Sequence, residues 1–196
     1  MVIQCSFVIV LFISSILEPI KAIPTVRLQN AAHGEVLMPV IGLGTGGYGR
    51  PDGSGGEYWG PEQGHNATLA WLKAGGRRID SADNYLSRDG IGTGWKASGI
   101  PRSEIFLTSK VEPMDYNGTL AEFAAILQSL QTNYVDLLLI HWPGYFTDSS
   151  QLSCKQGQST WQKCRMETWQ AVVDLFNQEK VKIKFSHFSI HQQIHF

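Results

Sequence analysis

The chain is short of positive charge. Its 196 residues include 16 lysines and arginines against 17 aspartates and glutamates, for a formal net charge of −1 at pH 7. Nucleic acids and anionic membranes attract proteins mainly through clustered basic residues, and this sequence contains no basic run. We therefore expect no nucleic-acid partner and no membrane surface as its main target.

Long hydrophobic runs are equally scarce. The only marked one, residues 7–17, is short for a membrane-spanning helix and is followed by the small residue Ala22. We expect residues 1–22 to be a secretory signal peptide and residues 23–196 to form one globular domain that leaves the membrane after cleavage. An uncleaved leader that anchors the chain is the alternative, because no lysine or arginine precedes the apolar run.

Cysteine is rare, which excludes a small disulfide-dense scaffold. Only three cysteines occur, and Cys5 lies in the expected leader, so the mature chain keeps Cys154 and Cys164. This even pair is compatible with one disulfide in a secreted protein, and two unrelated thiols are the alternative. Asn66 and Asn117 each begin an N-glycosylation sequon, which is usable only in a secreted chain.

Short apolar runs alternate with helical patterns along the chain. Uninterrupted apolar strands are typical of parallel sheets that are covered on both faces. We therefore predict a parallel α/β fold, preceded by a small hairpin. The predicted strands are residues 40–44, 77–80, 105–110, 135–141 and 181–185, and the predicted helices lie around residues 66–74, 91–99, 119–130 and 169–176.

Local signals qualify some of these elements. Residues 46–64 are rich in glycine and are predicted to form a long loop. Gly92 and Gly94 make the helix at 91–99 a weak one. Thr119 followed by Glu122 has the spacing of a capping box and predicts that a helix begins there.

The strand ends favour a barrel over an open sheet. Three predicted strands end at Asp80, Lys110 and His141, and Tyr85 follows the first of them. Active sites of (β/α)8 barrels lie at the carboxyl ends of the strands, so these four side chains would meet on one rim. A complete barrel needs about 250 residues. We therefore expect an incomplete barrel of about five βα units.

The four side chains are suited to carbonyl reduction. A lysine beside a tyrosine favours the negative charge left when the phenol gives up its proton, and an aspartate keeps that lysine charged. Tyr85 would then act as general acid, Lys110 as its neighbouring cation and Asp80 as the partner of the lysine. His141 would hydrogen-bond the substrate oxygen. Each residue taken singly could instead have a purely structural role.

Several separated motifs resemble those of the aldo-keto reductases, which are NADPH-dependent (β/α)8 barrels. The resemblance covers residues 26–196 and is strongest in four segments: MPVIGLGT at 38–45, RIDSADNY at 78–85, FLTSKV at 106–111 and DLLLIHWP at 136–143. It implies reduction of a small-molecule aldehyde or ketone by a monomer, with NADPH as cofactor. It also implies substrate contacts at His141 and Trp142.

The resemblance further implies where the nicotinamide would lie. The matching positions are Thr45, Gly46, Asp80, Ser186 and His187, although Gly46 replaces an aromatic residue and His187 an asparagine. The family's segments that hold the rest of the cofactor have no counterpart before Phe196. We therefore expect a C-terminally truncated reductase, with inactivity of this truncated chain as the alternative to reduction.

Three other functions fit parts of the sequence. Gly42, Gly44 and Gly47 have the spacing of a Rossmann dinucleotide fingerprint, although no helix pattern begins at Gly47. A non-catalytic secreted binding protein could retain the same four side chains on its scaffold. A barrel hydrolase could use a carboxylate pair, such as Asp80 with Asp83 or Glu112.

Overall fold

The computed structural model describes residues 23–28, 31, 34–46, 59–82, 85–141 and 158–186. Within these ranges, no helix has both the length and the apolar character that crossing a membrane requires. The expected leader, Cys5 and Cys154 lie outside them. Cys164 is buried on a helix, and its predicted pairing with Cys154 stays a prediction.

The described residues form a two-stranded antiparallel hairpin and a five-stranded parallel sheet. The strands are β1 Thr25–Leu28, β2 Val36–Pro39, β3 Leu43–Gly44, β4 Arg78–Asp80, β5 Phe106–Val111, β6 Val135–Ile140 and β7 Val181–Ser186. The helices are α1 Pro61–Lys73, α2 Arg88–Ser98, α3 Tyr116–Ser129 and α4 Gln158–Asn177. Strands and helices alternate after the hairpin, as the sequence pattern predicts.

The order of the strands confirms the barrel-type prediction. The sheet runs β3-β4-β5-β6-β7, so each strand pairs with the next one in sequence and all pairs are parallel. A doubly wound sheet reverses its strand order at a switch point, and this sheet has none over the described strands. The arrangement is that of part of a (β/α)8 wall, and the Rossmann alternative is wrong.

The two faces of the sheet pack against different partners. Ile79, Leu107 and Leu138 belong to a cluster with residues of all four helices. Their sequence neighbours Phe106 and Leu137 instead pack with Val36 of the hairpin, because successive strand residues point to opposite faces. The sheet is therefore buried on both sides, which explains why its strands read as uninterrupted apolar runs.

Two predicted boundaries are wrong. The first core strand is only β3, since Val40 and Ile41, which were predicted to belong to it, are 44% and 56% exposed. Helix α1 begins at Pro61, inside the predicted loop of residues 46–64. A proline at the first helical position loses nothing, because its missing N–H would have no partner inside the helix.

The predicted capping box is also wrong. Helix α3 begins three residues earlier, and its N-cap is Asp115, whose carboxylate accepts a hydrogen bond from the backbone N–H of Gly118 at 2.6 Å. The Thr119 hydroxyl donates to the Asp115 carbonyl at 2.9 Å. Glu122 pairs instead with Arg88 of α2 at 2.9 Å. An aspartate is as good a cap as a threonine, so spacing alone did not separate the two.

The glycines of α2 are required by packing rather than being a weakness of the helix. A Cβ placed on Gly90 would overlap the Pro61 carbonyl of α1, and one on Gly92 would overlap the Ser129 carbonyl of α3. A Cβ placed on Gly94 would likewise lie only 2.7 Å from the His65 carbonyl oxygen of α1. Helix α2 therefore approaches the backbones of both neighbouring helices directly.

We expect Gly92→Ala to destabilise the protein although alanine is the better helix former. The gain in helix propensity is about 1 kcal/mol, whereas overpacking against a backbone carbonyl costs about 1–3 kcal/mol or more. Gly44→Ala is the matched control, because a Cβ there meets nothing within 4 Å. Urea unfolding of both variants tests this. Equal stability of the two would contradict the packing explanation.

A polar network joins the start of α3 to α4. The Tyr116 hydroxyl donates a hydrogen bond to Asp174 at 2.8 Å, and the Thr168 hydroxyl donates to the Met114 carbonyl, also at 2.8 Å. The hydrogen bond to Asp174 raises the pKa of Tyr116 above its usual value of 10.0, and desolvation and the aspartate charge act in the same direction. The folded state therefore favours the neutral phenol.

This raised pKa predicts how stability depends on pH. The contribution of Tyr116 is fully present below the unfolded-state pKa near 10 and is lost as the pH rises through the higher folded-state pKa. We expect wild type to exceed Tyr116→Phe in unfolding free energy at neutral pH. This difference in unfolding free energy should decrease as the pH is raised above about 10. A difference that stays constant across this range in urea titrations would refute the assignment.

Candidate active site

The carboxyl ends of neighbouring strands bring the predicted site residues to one rim of the sheet. Asp80 ends β4, Lys110 lies one residue before the end of β5, and His141 directly follows β6. The strands pair in parallel, with Val111 opposite Ile140, so these ends are adjacent. The parallel register is what assembles side chains that are 30 residues or more apart in the chain.

Lys110 is the centre of the cluster. Its Nζ donates to Oδ2 of Asp80 at 2.6 Å and to the carbonyl of Ser81 at 3.0 Å. The lysine side chain is only 11% exposed, and this carboxylate compensates the loss of contact between its ammonium and water. The pair therefore holds a positive charge at a defined place on the rim.

The Tyr85 ring is close to both Lys110 and His141. The ammonium of Lys110 is 4.7 Å from the centroid of the phenol ring. The imidazole of His141 meets the same ring edge-on, with centroids 5.9 Å apart and planes at 81°. The structure thus brings together all four side chains that the sequence nominates as catalytic, with an ammonium and an imidazole both next to the phenol.

The backbone at the end of β3 supports this phenol. A Cβ on Gly46 would lie 2.9 Å from Cζ of Tyr85, so the glycine allows the ring to approach the chain directly. Neighbouring Thr45 is fully buried, and its hydroxyl donates to the Asp80 carbonyl at 2.8 Å. The Ser87 hydroxyl donates in turn to the Thr45 carbonyl at 3.0 Å. Thr45 and Gly46 therefore lie beside Asp80 and Tyr85, and their predicted contacts with the nicotinamide stay predictions.

Glu112 is a site residue whose contact the sequence reasoning missed. Its Oε1 lies 2.7 Å from Nδ1 of His141, and its side chain is only 6% exposed. The sequence feature that could have indicated Glu112 is its position directly after β5, two residues beyond Lys110. Asp80 pairs with Lys110 and Glu112 with His141, so two of the three carboxylates proposed for a hydrolase each have a partner of their own.

The remaining predicted residues are placed only in part. Ser186 ends β7 opposite Ile140 of β6, so its backbone lies on the same rim as His141. Trp142, Asp83 and His187 lie outside the described residues, and their predicted roles stay predictions. The described cluster can supply a proton from a phenol, a fixed positive charge and a hydrogen-bonding imidazole within one small region.

Comparison with known sequences identifies the protein family. The sequence model of the Aldo/keto reductase family matches residues 40–193. The chain is 36% identical over 173 residues to a glyoxal reductase of Bacillus subtilis, covering 85% of this chain and 50% of that protein. It is 35% identical over 165 residues to a 9,11-endoperoxide prostaglandin H2 reductase of Trypanosoma cruzi, covering 81% and 48%. The chain spans about half the length of these curated relatives.

Comparison with solved structures agrees. An aldo/keto reductase from Brucella melitensis superposes with a TM-score of 0.63 at 32% identity, over 86% of this chain and 55% of that one. An aldo-keto reductase of Bombyx mori, solved in complex with NADP, gives a TM-score of 0.63 at 24% identity, over 83% and 50%. At that identity the second match supports the fold alone.

Proposed function

Because this chain belongs to the aldo/keto reductase family, we propose that it reduces an aldehyde or ketone to an alcohol, with NADPH as hydride source and Tyr85 as proton donor. The observation that carries the proposal is the contact of Lys110 with both Asp80 and the Tyr85 ring. A charged lysine on the face of a phenol is the arrangement that proton donation from tyrosine needs.

The proton moves from Tyr85 to the substrate. As the carbonyl becomes an alcohol, negative charge develops on its oxygen, and the phenol hydroxyl transfers its proton to that oxygen. The phenolate that remains is stabilised by the Lys110 ammonium, 4.7 Å from the ring centroid. Asp80 keeps that ammonium charged and in place through the 2.6 Å hydrogen bond.

The described residues fit the nicotinamide end of NADPH. Thr45 and Asp80 offer polar side chains just after β3 and at the end of β4, on the rim that also holds Tyr85, and the backbone of Ser186 ends β7 on that rim. They would hold the cofactor's nicotinamide there, with Gly46 and His187 as the other predicted contacts. When bound, NADPH supplies the hydride that the carbonyl carbon accepts. His141, with Trp142, would orient the carbonyl oxygen next to the phenol.

The names of the relatives suggest the class of substrate. One relative is named a glyoxal reductase, and another is named for reduction of a prostaglandin endoperoxide. We propose a small carbonyl compound as the substrate of this chain, which would act as a monomer.

Binding and turnover of NADPH by the full chain test the proposal. We expect the cofactor's fluorescence to change on titration and its absorbance to fall when glyoxal or another small aldehyde is added. Turnover should be lost in Lys110→Met, because this substitution removes the cation that stabilises the phenolate. Failure of the chain to bind NADPH at millimolar concentration would contradict the proposal.

We also propose that the chain is secreted and carries the Cys154–Cys164 disulfide. Asn66 on α1 and Asn117 in the first turn of α3 are both exposed, which supports their use as glycan sites. Expression in a secreting eukaryotic cell tests this. We expect the chain in the medium to begin at Ile23 and to lose mass on enzymatic deglycosylation. A chain that keeps residues 1–22 and stays with the membrane would favour the anchored alternative.

A further inference from the structure

The contact between Glu112 and His141 places a carboxylate against the imidazole of the candidate site. Oε1 of Glu112 and Nδ1 of His141 are 2.7 Å apart, and the two side chains are 6% and 10% exposed. The other carboxylate oxygen, Oε2, is buried and has no hydrogen-bond partner among the described residues. The contact that the Glu112 carboxylate makes is therefore with the histidine and not with water.

The number of protons on this pair determines whether Nε2 of His141 carries a hydrogen. Two lone pairs do not approach to 2.7 Å, so a proton must lie between Oε1 and Nδ1. If the pair holds one proton, that proton lies between Oε1 and Nδ1, and Nε2, the other ring nitrogen, carries no hydrogen. Nε2 carries a hydrogen only when the pair holds two protons, whether the second is counted on the ring or on the carboxyl.

We infer that Glu112 is a positioning residue that sets which nitrogen of His141 carries the proton, so that Nε2 donates a hydrogen bond only in the doubly protonated pair. An imidazole without such a partner can be neutral and still carry its proton on Nε2. The carboxylate removes that option, because it holds the first proton on the Nδ1 side.

The inference rests on the proposed function in one respect, its effect on catalysis. A carbonyl oxygen needs a hydrogen-bond donor, so reduction requires two protons on the pair. In the reverse oxidation the alcohol hydroxyl gives its one proton to the Tyr85 phenolate, and a hydrogen on Nε2 stabilises the same developing charge on oxygen. Rising pH would therefore remove the hydrogen-bond donor at Nε2 of His141 and slow carbonyl reduction.

Other charged groups near the pair shape this titration. Among the described residues, Lys110 and Asp80 lie on the same rim and largely neutralise each other through their 2.6 Å contact. Tyr85 meets the His141 ring edge-on and loses its own proton during reduction. The variants compared below keep all three groups, so differences between them report on the carboxylate of Glu112.

The proton position can be read directly by NMR. The full chain, labelled with ¹⁵N, is titrated upward until the His141 ring is neutral, and two-bond ¹H–¹⁵N correlations show which nitrogen is protonated. The His141→Gln spectrum assigns the signals. We expect Nδ1–H in wild type and Nε2–H in Glu112→Leu, while Glu35→Leu, at an exposed site, matches wild type. Nε2–H in neutral wild type would overturn the inference, even if Glu112→Leu fails to fold.

The pH profile of carbonyl reduction provides a second readout. In wild type, kcat/KM should fall about tenfold per pH unit once the pair loses its second proton. In Glu112→Leu the neutral ring still donates from Nε2, so the fall should be absent over that range. Identical profiles would contradict the inference. If neither protein reduces any carbonyl compound, the proposed function fails, and the NMR result still decides the role of Glu112.

Discussion

Replacing Tyr85 with phenylalanine is expected to abolish most carbonyl reduction while leaving the site assembled. The ring stays, and with it the contacts to Lys110 at 4.7 Å and to His141 at 5.9 Å, so only the proton donor is removed. Loss of a positioned general acid lowers kcat by roughly 10²- to 10⁴-fold. Steady-state kinetics with NADPH and a small aldehyde measure this fall.

Tyr134→Phe is the matched control for that experiment. It makes the same chemical change on a tyrosine just before β6, at the opposite end of the sheet, where the ring stacks on Arg102 and Lys182. We expect its kcat to equal that of wild type. NADPH binding should be unchanged in both variants. A Tyr85→Phe enzyme that keeps more than about a tenth of the wild-type kcat would exclude Tyr85 as the proton donor.

Asp136→Ala is expected to cause the largest loss of stability. Asp136 lies at the start of β6, is only 5% exposed, and receives contacts of 2.8 Å from both Arg102 and Lys182. It also accepts the backbone N–H of Leu107 at 2.9 Å. Removing the carboxylate leaves the guanidinium of Arg102, itself 12% exposed, without its ion-pair partner and this N–H without its acceptor. Breaking such a buried pair costs about 3–5 kcal/mol.

Thermal and urea unfolding measure this loss, which corresponds to a fall in Tm of about 6–20 °C for a chain of this size. Glu35→Gln is the control, because its pair with Arg27 is exposed on both sides and should contribute no more than about 1 kcal/mol. Asp136→Asn, which keeps an oxygen for the Leu107 N–H, should fall between the two. An Asp136→Ala protein as stable as Glu35→Gln would show that the buried network contributes little.

The sequence predicted the part of the site that depends on strand ends. Parallel strands place their carboxyl ends together, so Asp80, Lys110 and His141 could be assigned to one rim without coordinates. The fold class followed from the same alternation and is confirmed by the strand order. Catalytic roles for these residues stay predictions, because contacts alone do not report a reaction.

Features set by contacts between distant segments could not be predicted in this way. The need for glycine at Gly92 comes from the approach of α3, which no local pattern in α2 records. The pairing of Glu112 with His141 joins residues 29 positions apart, and a carboxylate after a strand is as well explained by solvent exposure. The start of α3 was misplaced because Asp115 and Thr119 are both good caps.

The most direct test is to follow the hydride from cofactor to product. The full chain is incubated with glyoxal and NADPH carrying deuterium at the transferable position, and the alcohol is analysed by mass spectrometry. We predict one deuterium on the former carbonyl carbon with wild type, and about a hundredfold less deuterated alcohol or lower with Tyr85→Phe at equal enzyme concentration and time. A chain that binds NADPH yet forms no deuterated alcohol from glyoxal or any other small aldehyde or ketone tested would contradict the assignment of this rim as a carbonyl-reducing site.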